Sequence, residues 1–529
     1  MKKITITNKT TLALFIILII ASFFRLSNIK TIPPGLYPDE AINGNNALEA
    51  LRTNTYKVFY PENNGREGLF INIQALFLKF FLNFYENPEP WMLRIVSAIF
   101  GILTVLGLYF LTKQLFNKKI ALLSSFLLAV GFWPVNFSRI GFRAIMVPFC
   151  LTWAIYFLLK ALEKNNWKFI IFSGIFFGAG FHTYIAYRIA PLIALIILIY
   201  YFFNYQRQKN IKDFWKLIII WTITTFIIAL PIGIYFLENP QDFMGRSTQV
   251  SVFNSAHPLK EFSLSFIKTI GMFNFYGDCN WRHNYACQKE LDFLTGIFFI
   301  LGLIVTIKKL AKKPFDFSSG LIVGWFLIMT LPAILTFEGI PHALRSIGLI
   351  PPVFILAGVG LYSFCHWCFI KIPSQKRKNI SIIILSLILL LIFLINYFNY
   401  FQKWAKNPNV SNAFNENYEQ IGEYLNSLPP SLNKFVLVNA GGVLVNNIPM
   451  SAQTVMFITN TYHPNNQIKK NIFYLTPENL NEIILLNDIN APFIIIPLEK
   501  NTDAKQIIES IFPNISFKEN PYFWIFQSL

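Results

Sequence analysis

Apolar and polar positions alternate along this chain in blocks of tens of residues. Apolar runs of about 18–22 residues recur, the length a helix needs to cross a bilayer core. The candidate spans are roughly 10–28, 92–112, 119–137, 145–161, 168–183, 189–205, 215–236, 291–307, 318–336, 345–366 and 380–399. A shorter run, 69–85, sets Asn72, Lys79 and Asn83 on one helical face, which predicts an amphipathic helix lying in the interface. After residue 400 the pattern changes. Phe435–Val438, Thr454–Ile458 and Phe493–Ile496 predict short buried strands, and Tyr418–Leu428 and Asn479–Leu486 predict amphipathic helices. The expected architecture is a membrane all-α domain over 1–400 with about eleven transmembrane helices, then a small α/β domain over 401–529. No internal repeat is visible.

Composition agrees with this. The 529 residues are 54% hydrophobic and only 14% charged, against about 25% charged in soluble proteins. The net charge of +18 invites a nucleic-acid reading, but its distribution opposes one. From 401 onward there are 8 Lys, no Arg and 10 acidic residues, so the first 400 hold 37 of the 45 basic and 17 of the 27 acidic residues. That excess lies largely in short loops between apolar runs: Lys113/Lys118/Lys119, Lys160/Lys164/Lys168, Arg207/Lys209/Lys212/Lys216, Lys308/Lys309/Lys312/Lys313 and Lys371/Lys376/Arg377/Lys378. If 69–85 does not span, all five loops share the cytoplasmic side with the N-terminus. If it spans, all five violate the positive-inside tendency. The expected topology is therefore a multi-pass plasma-membrane protein with a cytoplasmic N-terminus. Its extracytoplasmic parts are the loop 29–91, the long loop 237–290 and the tail domain. Lys2, Lys3 and Lys9 precede the first apolar run, which lacks a small-x-small cleavage site before Pro33-Pro34, so an uncleaved first helix is expected.

Cysteines and glycines add little. Cys365 and Cys368 lack a second ligand pair for a metal site, and Gly441-Gly442 lacks the spacing of a phosphate loop. Cys279 and Cys287 share one loop and could form a disulfide in an oxidising compartment.

The candidate chemistry gathers on the expected outer side. Asp39-Glu40 follows a turn-rich stretch with Pro33, Pro34, Gly35 and Pro38. Adjacent carboxylates repel, which can leave one as a base near working pH. Alternatively, Asp39 caps a helix starting near Glu40. Arg66, Arg94, Arg139, Arg143, Arg188, Arg282 and Arg345 lie on the side where basic residues are disfavoured. Each could snorkel to headgroups, but as a group they suit bidentate binding of a phosphate. His182, with Tyr184 beside it, His283 and His342 share that side. No His-x-x-x-His or Glu-x-x-His spacing marks a metal site, so no metal ligands are assigned, although a divalent metal stays open. Ionisable residues at one end of the spans suit group transfer from a lipid phosphate. A transporter would place them at mid-span.

The chain resembles the GT-C membrane glycosyltransferases, closest to the bacterial branch related to protein O-mannosyltransferases and lipid A aminoarabinose transferases. The resemblance rests on Asp39-Glu40, Leu93-Arg94, Ser138 to Arg143, His182-Thr183-Tyr184 with Tyr187-Arg188, Gly277-Asp278 with Arg282-His283-Asn284, and Pro341 to Arg345, in that order over residues 1–400. It implies inverting transfer of a hexose or pentose from a polyprenyl-phosphate donor to a hydroxyl of a protein, lipid or glycan acceptor. Asp39 would be the base, Glu40 its neighbour, and the arginines would hold the phosphate. Where relatives carry an acidic-Pro-Pro element, this chain has Arg66-Glu67-Gly68-Leu69. Where many carry an Asp in the second outer loop, it has Arg143-Ala144-Ile145-Met146. Rival readings are an oligosaccharide polymerase or ligase with a diphosphate-linked donor, and a non-catalytic lipid or sugar transporter.

Overall fold

The computed structural model describes residues 6–249, 251–312, 315–369, 374–486 and 492–528. Lys2, Lys3, Lys313 and Lys371, and the side chains of residues 376–378, lie outside the described residues. The chain forms two compact units, Met1–Ser27 with Ser97–Trp404, and Asn28–Val96 with Ala405–Leu529. The loop expected to belong to the membrane domain thus packs with the tail.

The first unit is helical. Among the described residues of the chain, nine helices are long and apolar enough to cross a membrane. The chain is a multi-pass membrane protein. Two further predicted spans take other forms. The run 168–183 becomes the 14-residue helix Trp167–Gly180. The run 119–137 is broken at Gly131 into Lys118–Val130 and Phe132–Phe137. Past the break, the Phe132 amide donates to the Asn396 side chain instead of continuing the helix. The carbonyls of Leu128 and Ala129 accept from the buried Arg25 guanidinium. Helices Phe293–Leu310 and Ile350–Phe369 meet at their backbones. A Cβ on Gly302 would lie 1.8 Å from Leu356 O, and one on Gly360 1.8 Å from Phe298 O, so only glycine permits the crossing.

The second unit is built on a five-stranded sheet. Strands Ile472–Leu475, Asn433–Leu437 and Phe493–Pro497 run parallel, Trp524–Gln527 pairs antiparallel with Phe493–Pro497, and Ser516–Glu519 pairs antiparallel with Trp524–Gln527 at the edge. Side chains alternate between two buried faces. Val436, Ile494 and Ile496 pack with Ile421, Leu425 and Val455. Phe435, Leu437 and Ile495 pack with Ile483, Ala504 and Ile508. The strand expected at Thr454–Ile458 is instead the helix Gln453–Ile458. It is buried throughout, so its apolar run carries no period that separates strand from helix. Phe457 and Ile458 join Leu36, Ala41, Ala47, Ile71 and Leu93 in one core, which fixes the 28–96 segment to the tail. The predicted amphipathic helix 69–85 is Gly68–Phe81.

Candidate functional site

In the second unit, the helix Pro38–Thr53 starts because Tyr37 is extended and Pro38 fills the first helical position. Asp39 and Glu40 follow in the first turn, where free amides favour carboxylates. Asp39 is therefore not the cap, and Tyr37 at that position makes no side-chain capping bond. The two carboxylates have separate fates. Glu40 is fully buried and pairs with Arg94 through both oxygens, at 3.0 and 3.1 Å. Arg94 also donates to Pro33 O and Gly35 O, each at 2.6 Å. Gly35, at φ +71°, allows this loop to press on the backbone of Glu416. Asp39 stays half-buried and accepts one hydrogen bond, from Asn63 Nδ2 at 2.8 Å. Arg66 is buried against Asn43 Oδ1 and Asn46 Oδ1, at 2.8 and 2.7 Å. Burial beside Glu416 and Glu423 pushes the Glu419 carboxyl up to about 7, despite the opposing pull of Arg94.

In the first unit, the candidate residues divide again. Arg139 is buried, donates to Phe24 O and Ser27 O, and lies over Tyr400 and Phe401. Its guanidinium closes the end of the first helix. His182 Nε2–H donates to Ile228 O at 2.8 Å. Tyr184, Arg188 and Arg345, by contrast, line a single cavity of about 390 Å³ with Ile185, Phe243, Phe253 and Leu335. Arg188 stacks 4.1 Å from the Phe243 ring centre, Arg345 donates to Thr336 Oγ1 and Glu338 O, and Arg143 lies over Tyr184. This is an apolar chamber with cationic walls, suited to an amphiphile carrying an anionic group.

The loop after helix Pro258–Gly271 holds a third group. The Cys279–Cys287 disulfide, left open by the sequence, is formed. Asp278 Oδ2 accepts from His283 Nδ1–H and from the Ala343 amide, both at 2.9 Å, and His342 Nδ1 lies 3.9 Å away. Burial would raise Asp278, but the His283 hydrogen bond and the charges of His283 and His342 hold it below the usual carboxylate range. Glu290 receives the Asp278 amide and is pushed well above its usual value by burial and by Asp278. Arg282 lies in this loop, and its carbonyl accepts from Asn136. Asp278, His283 and His342 bring ligand atoms within 4.8 Å of one another. An aspartate with two imidazoles suits a divalent cation, which would replace the proton shared by His283 and Asp278. Local spacing could not reveal this group, because Ala343 is 65 residues from Asp278.

Several known proteins are similar to this chain in sequence or fold. Residues 73–235 match the dolichyl-phosphate-mannose-protein mannosyltransferase family. A putative mannosyltransferase, YkcB of Bacillus subtilis strain 168, is 31% identical over 111 residues, which is 21% of this chain and 16% of that protein. The match therefore spans about a sixth of that relative's length. ArnT from Cupriavidus metallidurans, solved bound to undecaprenyl phosphate, superposes with a TM-score of 0.56 at 12% identity over 99% of each chain. The oligosaccharyltransferase of Archaeoglobus fulgidus gives 0.54 at 12% identity, over 88% of this chain and 64% of its own. A segment similar to that mannosyltransferase family thus lies inside a fold shared with these enzymes.

Proposed function

We propose that the protein transfers a sugar from a polyprenyl-phosphate donor to an acceptor hydroxyl on the extracytoplasmic face, with inversion. The observation that carries this reading is the division within Asp39-Glu40. Glu40 is consumed by Arg94, whereas Asp39 keeps a partly exposed carboxylate with a single hydrogen bond. In the reaction, the acceptor oxygen attacks the anomeric carbon, the bond from that carbon to the phosphate oxygen breaks, and Asp39 takes the acceptor proton. A positioned base contributes about 10²–10⁴-fold. The chamber that Arg188 and Arg345 line in the first unit would hold an amphiphilic phosphate. The undecaprenyl phosphate bound by the similarly folded ArnT favours a lipid monophosphate product. The disulfide supports an oxidising compartment for its loop.

Purified protein in proteoliposomes should move radiolabel from polyprenyl-phosphate mannose or a related monophosphate donor to a glycan, lipid or protein acceptor. Transfer only from a diphosphate donor would favour a polymerase or ligase. Lipid or sugar flux with no covalent product would favour a transporter. A divalent cation at Asp278, His283 and His342 is a further part of the proposal. Chelation should then lower activity, and added metal should restore it.

A further inference from the structure

The second unit contains a cavity that the donor chemistry does not use. Its volume is about 230 Å³, small for a ligand site, with room for a sugar ring but not a lipid chain. Asn46 and Glu49 of helix Pro38–Thr53 line one part, Glu62 of the neighbouring turn another, and Asn446, Tyr462 and His463 of the tail a third. With the other lining residues, the wall offers two carboxylates, two carboxamides, two phenols, two threonine hydroxyls, an imidazole and the Lys57 ammonium. Several of these groups are held in place. Glu49 is gripped by Arg52 at 2.6 and 3.0 Å, and Asn46 Oδ1 by Arg66. His463 Nδ1 accepts the Asn465 amide, which directs its proton to Nε2. Glu62 Oε2 is buried without a hydrogen bond, with Arg66 3.8 Å away.

Buried acceptors with room beside them call for donors on a ligand. Lys57, the one lysine of the wall, already faces Glu62 at 3.7 Å, which leaves a phosphate no surplus of positive charge, and the polar lining opposes a lipid tail. A neutral ligand rich in hydroxyls satisfies both conditions. We propose that this cavity is the acceptor subsite and that it binds a saccharide unit of a glycan acceptor. The inference rests on Asp39 as the base and names the acceptor class. The two places are linked. Asn63, which holds Asp39, adjoins Glu62 in the same turn. Asn46 lies seven residues along the helix from Asp39, an axial rise of about 10 Å. A sugar in the cavity thus leaves the neighbouring unit of the glycan to present its hydroxyl to Asp39. The tail, which supplies a third of the wall, selects the acceptor.

The test is saturation-transfer NMR on the full-length protein in detergent, with free mannobiose, cellobiose and lactose as probes. At least one disaccharide should show contact with the wild type. Glu62→Gln and His463→Ala should each weaken that binding about tenfold, with an unchanged unfolding temperature. Lys469→Ala, on the same tail helix as Pro464 but outside the cavity, should bind as wild type does. In transfer assays, the same two cavity variants should raise the acceptor KM about tenfold and leave kcat unchanged. No disaccharide contact with the wild type, or equal binding in both cavity variants, would overturn the proposal. Contact at the cavity with no transfer from any donor would support the subsite while removing the transferase reading. Transfer without contact would do the reverse.

Discussion

Two regions of this protein use arginine in opposite ways. Around helix Pro38–Thr53, Arg94 and Arg66 are buried, and their donors are directed to a carboxylate, loop carbonyls and side-chain amides. Around the chamber of the membrane unit, Arg188 and Arg345 are partly exposed at the wall of an apolar space. The first pair holds a loop in shape, and the second pair faces room for a ligand. The same residue type on one expected side of a membrane thus serves architecture in one place and binding in the other. What separates the two uses is burial, since Arg188 and Arg345 each donate to a backbone carbonyl too but stay partly exposed at the cavity wall. Arg139 belongs with the architectural group although it comes from the membrane unit.

The largest effect should come from Arg94→Ala. It strands the buried Glu40 carboxylate and the Pro33 and Gly35 carbonyls, at a cost of about 3–5 kcal/mol. Thermal unfolding in detergent would read this as a large drop in midpoint, and an unchanged midpoint would erase the distinction between the two regions. Arg188→Ala and Arg345→Ala should do the converse. Each removes a charge-assisted contact to the donor, about 1.5–3 kcal/mol, and raises the donor KM roughly 10- to 100-fold while the midpoint holds. Loss of stability with no change in donor KM would move these residues into the architectural group.

The smallest effect concerns pH. Glu419 titrates near 7 in the folded protein, above its ordinary 4.5, so the folded chain holds this proton more tightly than the unfolded chain does. Its contribution to stability is present at low pH and is lost as pH rises from about 4.5 to about 7. Glu419→Gln should flatten the decline in unfolding midpoint over that window. The raised Glu290 contributes in the same direction and leaves a residual slope.

The sequence was most legible where one physical rule governed alone. Apolar length located nine of the expected spans among the described residues, and the helix expected over 69–85 runs Gly68–Phe81, with Asn83 beyond its end. Apolar runs at Phe435 and Phe493 located two central strands of the tail. Legibility failed where distant partners decided. The break at Gly131 depends on Asn396 and Arg25, and neither is local. Strand Ile472–Leu475 takes its place from pairing with Asn433–Leu437. The fate of Glu40 depends on Arg94, 54 residues away. The polar cavity was invisible for the same reason, since its walls come from residues about 400 positions apart. The sequence could propose Asp39-Glu40 as a pair, whereas only packing separates the two carboxylates.

That separation also supplies the most direct test. Asp39→Asn keeps the shape of the side chain and its place beside Asn63 but removes the base. Transfer of radiolabelled sugar from a polyprenyl-phosphate donor, measured beside thermal unfolding, should fall about 10²–10⁴-fold with the midpoint unchanged. Glu40→Gln should lower the midpoint instead. Wild-type transfer rates in Asp39→Asn would contradict the account.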